Sequence, residues 1–132
     1  MNGEETIERL RTHLQQLARG NPEPFFDFMA NDVVYEIPSP ANAPWCGVHR
    51  GKDAVRAVIG NQHVEIQLFD VIDVFGSGDR CAILIHERYV VRRTGRTVDQ
   101  TVVIVCRIEN EEIVQMQEFS DTDQVRAAFE SE

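Results

Sequence analysis

Along this chain the apolar positions change period several times, and each change marks an element. From Thr6 to Arg19, Ile7, Leu10, Leu14, Leu17 and Ala18 recur at helical spacing, which predicts an amphipathic helix stopped at Gly20-Asn21. Pro22 and Pro24 suit the opening turn of a second short helix through Phe25, Phe26, Phe28 and Met29, because a missing N–H costs nothing there. Asn31-Asp32 then turns the chain into a strand, Val33 to Ile37, which Pro38, Pro40 and Pro44 prevent from continuing in a ladder. Ser39 to Arg50 reads as a loop. Gly51-Lys52-Asp53 opens a third helix with Ala54, Val55, Val58 and Ile59 along one side, closed by Gly60-Asn61. Four strands follow: Val64 to Phe75, Cys81 to Arg92, a nearly continuous apolar run from Val102 to Ile108, and an alternating stretch from Ile113 to Ser120. Asp121 to Phe129 forms a final short helix with Asp121 or Thr122 as its cap. Three helices with one strand among them, then four strands in antiparallel succession, predict an α+β fold: a curved antiparallel sheet with helices on one face.

Length and charge narrow the possibilities. A chain of 132 residues forms a single domain, 1–132, with room for one core. A net charge of −9 without any Lys/Arg cluster excludes nucleic acid and an anionic membrane surface as partners. Arg92, Arg93 and Arg96 flank Thr94-Gly95 and read as a solvated hairpin tip. Cys46, Cys81 and Cys106 are odd in number and lack Cys-x-x-Cys spacing, so reduced thiols in a cytoplasmic protein are expected. No secretory signal is visible, and no apolar run approaches the ~18 residues of a membrane span. Nucleophile elbow, phosphate loop and dinucleotide fingerprint are missing, and His13, His49, His63 and His86 stand far apart. Neither a metal nor another cofactor is expected.

The candidate chemistry is carried by a few polar residues on otherwise apolar strands. In the last strand Val114, Met116, Glu118 and Ser120 alternate onto one face, so Glu118 either points into an apolar interior or reaches water at the strand end. The stretch ILIHERYVVR has two faces, Leu84, His86, Arg88 and Val90 against Ile83, Ile85, Glu87, Tyr89 and Val91. Apolar counting buries the second; a sheet covered on both sides would instead let His86 and Arg88 line a cavity. His13 borders the apolar stripe of the first helix and reads as a solvated flank before a catalyst, and Asp121 as a cap before a catalyst. Trp45, on the long loop, is either a pocket lid or a plug for the core. Cys106 lies in the most apolar strand, where a raised pKa keeps it inert. What remains is equipment for general acid and base chemistry on an apolar small molecule.

Three strings, ARGNPEPFFDFMANDVVYEIP with GVHRGKDAV, HERYVVRRTGR and IVQMQEFSDT, together with the element order, resemble the cone-shaped barrels of the nuclear transport factor 2-like superfamily. The nearest branch is the SnoaL-like and ketosteroid-isomerase-like one, with limonene epoxide hydrolase. The resemblance covers almost the whole chain and implies a pocket for a small hydrophobic molecule, closed by the Pro38 to Arg50 loop. It also implies a homodimer through the outer sheet face, where Ile85, Tyr89 and Val103 would otherwise be exposed. The ketosteroid isomerase acids fall on Ile37 and Ile104 and its first-helix tyrosine on His13, so a standard ketosteroid isomerase is not expected. Of the epoxide hydrolase set, Tyr35 and Arg88 match, Glu118 supplies the last carboxylate, and Ile37 and Val90 replace an amide and a second carboxylate. SnoaL-like cyclases resemble the chain in an acidic residue near the end of the last strand, where Glu118 and Asp121 stand. The implied catalytic residues are Glu118, tuned by Arg88, with Tyr35, His13 and Asp121. Trp45, His86, Gln100, Ile37, Val90, Ile104 and Met116 would contact the substrate. The implied function is a cofactor-independent isomerase, cyclase or hydrolase, or alternatively a non-catalytic binder of the same fold.

Overall fold

The computed structural model describes residues 3–38 and 40–130. The first helix, α1 (Gly3–Ala18), packs Leu10 and Leu14 into the core and is stopped at Gly20, whose φ of 89° suits glycine. The short α2 (Glu23–Asp27) places Phe25 and Phe26 in the same core. The first strand, β1 (Met29–Ile37), begins earlier than the sequence suggests. Asn31 and Asp32 lie inside it at an irregularity in its pairing rather than in a turn ahead of it.

The loop predicted from Ser39 to Arg50 is corrected at its end: Gly47–Arg50 is a strand, β2, paired antiparallel with β1. Its four residues are too few and too polar to show an alternation. Ser39 itself lies outside the described residues. Helix α3 (Lys52–Ile59) follows, and then β3 (Val64–Ser77), β4 (Arg80–Val91), β5 (Thr97–Glu109), β6 (Glu112–Phe119) and α4 (Thr122–Phe129). The sheet order is β2-β1-β6-β5-β4-β3, with every pairing antiparallel except β1 against β6. This is the predicted α+β architecture: a curved, unclosed sheet whose inner face meets the helices.

Two local features decide which side chains face inward. Asn110 and Glu111 take positive φ of 51° and 65° and make a tight turn between β5 and β6. Just past it, Ile108 pairs with Ile113 but Arg107 pairs with Gln115, so Val114 is an extra residue in β6. This bulge reverses the alternation and puts Ile113 on the same inner face as Met116 and Glu118; Val114 leaves that face, contrary to the simple period-2 reading. Ile113 and Met116 are almost completely buried.

Strand β4 shows the opposite lesson. Ile83, Ile85, Tyr89 and Val91 are buried on the inner face, so apolar counting was the correct guide and the cavity-lining role for His86, Arg88 and Val90 is overturned. Burying their polar groups against helices would have required partners the helices do not offer. Ile85 and Tyr89, each 3% exposed, are thereby withdrawn from the outer face on which the resemblance placed them.

Candidate active site

Between the concave sheet and the helices lies a cavity of about 370 Å³. Its wall is mostly apolar: Leu14 and Leu17 from α1, Phe25 from α2, Val58 and Ile59 from α3, and Val125 from α4 face the inner side chains of the sheet. Trp45 lines it as well, packing edge-on against Tyr89 at 5.9 Å and Phe129 at 5.1 Å between ring centroids. The loop tryptophan is therefore both a wall of the pocket and, with the hydrogen bond from Asn42 Nδ2 to the Arg126 carbonyl at 3.1 Å, a contact that ties the loop to α4. Of the predicted substrate contacts, Trp45, Gln100, Ile37, Ile104 and Met116 line this cavity.

Four ionisable side chains converge here. Glu118, opposite Ile104 across the ladder, accepts a hydrogen bond from the Tyr35 hydroxyl at 2.6 Å. Burial raises the Glu118 pKa, and the Tyr35 donor pulls it partway back. The Tyr35 phenol is itself held far above its ordinary range by burial and by the neighbouring Glu118 charge. Glu87, two residues from both Ile85 and Tyr89 on the inner face of β4, is the second carboxyl of the cavity. Burial first and the Glu118 charge second push it up to about 7, against a hydrogen bond from Gln100 Nε2 at 3.0 Å. The Tyr89 hydroxyl is buried without a hydrogen-bond partner, and burial with the charges of Glu87 and Glu118 raises its pKa. Among the described residues lining the cavity there is no Lys, Arg or His.

Three predicted catalytic residues stand elsewhere. Arg88 and His86 point to the outer face, where both reach Asp99: His86 Nε2 lies 2.6 Å from Oδ1 and Arg88 Nη1 3.5 Å from Oδ2, in an exposed cluster. The His86 hydrogen bond, followed by the positive charges, lowers the Asp99 pKa. His13 does not line the cavity; its ring sits 5.2 Å from that of Phe28, with its pKa lowered by partial burial and by Arg9. One position along α1 from Leu14 carries it about 100° around the helix and off the buried stripe. Asp121 caps α4, its Oδ1 accepting from the Gln124 amide at 3.1 Å, which lowers its pKa. The cap reading is the correct one. Glu87 was missed as a site residue although its signal was legible: it is the lone carboxylate on the more apolar face of ILIHERYVVR. Among the described residues no three His, Cys, Asp or Glu side chains cluster to hold a metal ion.

The geometry defines a class: an open α+β cone enclosing an apolar pocket with paired carboxyls. Similar solved structures share that fold. A nuclear transport factor 2-like protein of Burkholderia xenovorans matches with a TM-score of 0.82 at 22% identity, over 96% of this chain and 97% of that one. A Burkholderia thailandensis protein of the same type matches with a TM-score of 0.80 at 21% identity, over 96% and 98%. A Mesorhizobium loti protein provisionally described as a SnoaL-like polyketide cyclase matches with a TM-score of 0.74 at 18% identity, over 90% and 99%. No curated protein sequence matches the chain. The SnoaL-like domain family model matches residues 10–116, and the chain belongs to that family.

Proposed function

We propose that this SnoaL-like domain is a cofactor-independent enzyme, an isomerase, cyclase or hydrolase, using general acid and base catalysis on a small hydrophobic molecule. The observation that carries the reading is the pair of carboxyls in one apolar cavity, held in unlike surroundings. Arg88, first expected to tune Glu118, lies on the other side of the sheet, so the reading now stands on Glu87 in its place. Glu118 accepts from Tyr35, which favours the ionised form, and it is the base that removes a proton or activates water. Glu87, with a midpoint of about 7, keeps a proton on a substantial fraction of molecules at neutral pH and is the acid. A substrate seated between them can lose a proton at one end while a developing oxyanion receives one at the other. Such a pair supplies roughly 10² to 10⁴ in rate for each positioned group. The unpartnered Tyr89 hydroxyl also favours a second reading, a non-catalytic receptor for an apolar ligand with one acceptor atom.

The deciding experiment is a thermal-shift screen of hydrophobic metabolites followed by assay of Glu118→Gln. For the enzyme, turnover of the substrate so found falls by roughly 10² or more with binding little changed. Unchanged turnover in that variant removes Glu118 from the chemistry, and ligand binding with no turnover in either protein establishes the receptor.

We also infer that a second copy of the chain covers the outer sheet face. Cross-strand pairing aligns Phe119, Val103 and Leu84 in one row and Val105, Ala82 and Phe75 in the next, with Phe75 52% and Phe119 48% exposed. The His86, Arg88 and Asp99 cluster borders this patch with charges of both signs, so a two-fold related copy can meet it with complementary charge.

A further inference from the structure

We propose that Gln100 is a positioning residue that couples the Glu87 carboxyl inside the cavity to the seating of helix α4 over it. The proposal rests on the acid role given to Glu87. Gln100 is a buried polar residue, 8% exposed, on the inner face of β5 directly opposite Glu87. Its Oε1 accepts from the backbone N–H of Asp121 at 3.0 Å, and its Nε2 donates to Glu87 Oε1 at 3.0 Å. Because a backbone N–H can only donate, the amide has one possible orientation, with nitrogen toward the carboxyl. Glu87 Oε1 is then occupied by a donor, and the proton that Glu87 carries as an acid belongs on Oε2.

The other end of the same side chain holds the residue on which α4 begins. Asp121 caps the helix, and its carbonyl accepts from the Val125 amide at 3.1 Å; Val125 in turn forms part of the cavity wall. The helix is also fixed to β5 through Gln124, whose amide bonds the Asp99 N–H at 2.6 Å and the Asp99 carbonyl at 3.0 Å. At its far end Thr94 Oγ1 donates to the Ala128 carbonyl at 2.6 Å, Arg96 Nη1 to the Ala127 carbonyl at 2.8 Å, and Arg93 to the Phe129 carbonyl. The basic hairpin predicted to be a solvated tip is thus a C-terminal clamp on α4. Of these attachments only Gln100 reaches into the cavity. A donor to an ionised carboxylate is held more strongly than a donor to a neutral acid, so an ionised Glu87 pins the amide and with it Asp121. Protonation, or a ligand that takes Glu87 away, loosens α4 at its first turn.

The titrating groups around Glu87 are few: Glu118 from β6, Tyr35 from β1 and Tyr89 from its own strand, while β3 presents Phe69 and the helices present apolar side chains. The test therefore compares amide hydrogen exchange at Val125, corrected for intrinsic pH dependence, in wild type, Glu87→Gln, Glu118→Gln, Gln100→Met and Gln100→Glu. In wild type, exchange should be about threefold faster near pH 6 than near pH 8, and in Glu118→Gln the same step should persist but move to lower pH, because a charge that raises Glu87 is gone. In Glu87→Gln and Gln100→Met that step should vanish, and the Glu87 carboxyl midpoint, followed by carbon-13 NMR, should rise in Gln100→Met. Gln100→Glu keeps the acceptor for Asp121 but faces Glu87 with a like charge, so α4 protection should survive while the midpoint rises. A pH step that persists in Gln100→Met, or an unmoved Glu87 midpoint in both Gln100 variants, overturns the coupling. None of these readouts requires turnover, so the coupling and the enzymatic reading fail separately.

Discussion

His86, Glu87 and Arg88 are consecutive residues of one strand, yet they belong to two different chemical worlds. His86 and Arg88 meet Asp99 on the exposed outer face, where water screens their charges and the cluster adds little to stability. Glu87 lies among Ile85, Tyr89 and Glu118, where the same unit charge is driven toward neutrality. A rotation of about 180° per residue separates a carboxylate that can exchange protons at neutral pH from a basic pair that decorates the surface. The contrast teaches that acid–base capacity on this sheet follows the face and its solvation, not the richness of charged residues in the string.

The comparison can be broken most directly at the rate. The hundredfold or greater loss expected for Glu118→Gln should have no counterpart on the outer face: Arg88→Gln and Asp99→Asn should each retain turnover within about twofold. A large loss in either would mean that the outer cluster takes part in chemistry.

Stability against pH sharpens the contrast. The folded-state pKa of Glu87, about 7, lies above the unfolded carboxylate value, so the folded state holds a proton that the unfolded chain has released. Below the unfolded pKa no penalty exists, and as pH rises through the folded pKa that stability is lost. Glu87→Gln should therefore stabilise the protein near pH 8 by roughly 2 to 3 kcal/mol and have almost no effect near pH 4. Urea denaturation at the two pH values measures it, and an equal effect at both would remove the desolvated carboxyl from the account.

A smaller effect is expected at Tyr35. Tyr35→Phe keeps the ring but deletes the donor that holds the Glu118 pKa down, so the rising limb of a rate profile should move to higher pH and the neutral-pH rate should fall about tenfold. An unshifted limb would assign it to another group. Smallest in chemistry is Phe119→Arg on the outer face, which should convert a dimer to a monomer in sedimentation while leaving the cavity intact. A wild-type monomer at micromolar concentration would refute the inferred pairing.

The sequence by itself determined the α+β class and the order of every element but the short β2, and it narrowed β4 to two candidate inner faces and Glu118 to two directions. Each follows from local periodicity, which is set by backbone geometry and needs no knowledge of distant residues. It could also have offered Glu87, had apolar counting been followed through to its polar member. Only the tertiary structure decided the rest. The bulge at Val114 is invisible in composition because it is defined by a count of residues across two paired strands. The parallel pairing of β1 with β6 brings Tyr35 to Glu118 across 83 positions of sequence, a proximity that no spacing rule contains. The single permitted orientation of Gln100 arises because a backbone donor from one element and a carboxyl from another meet the same amide, and that constraint exists only once the chain has closed around its cavity.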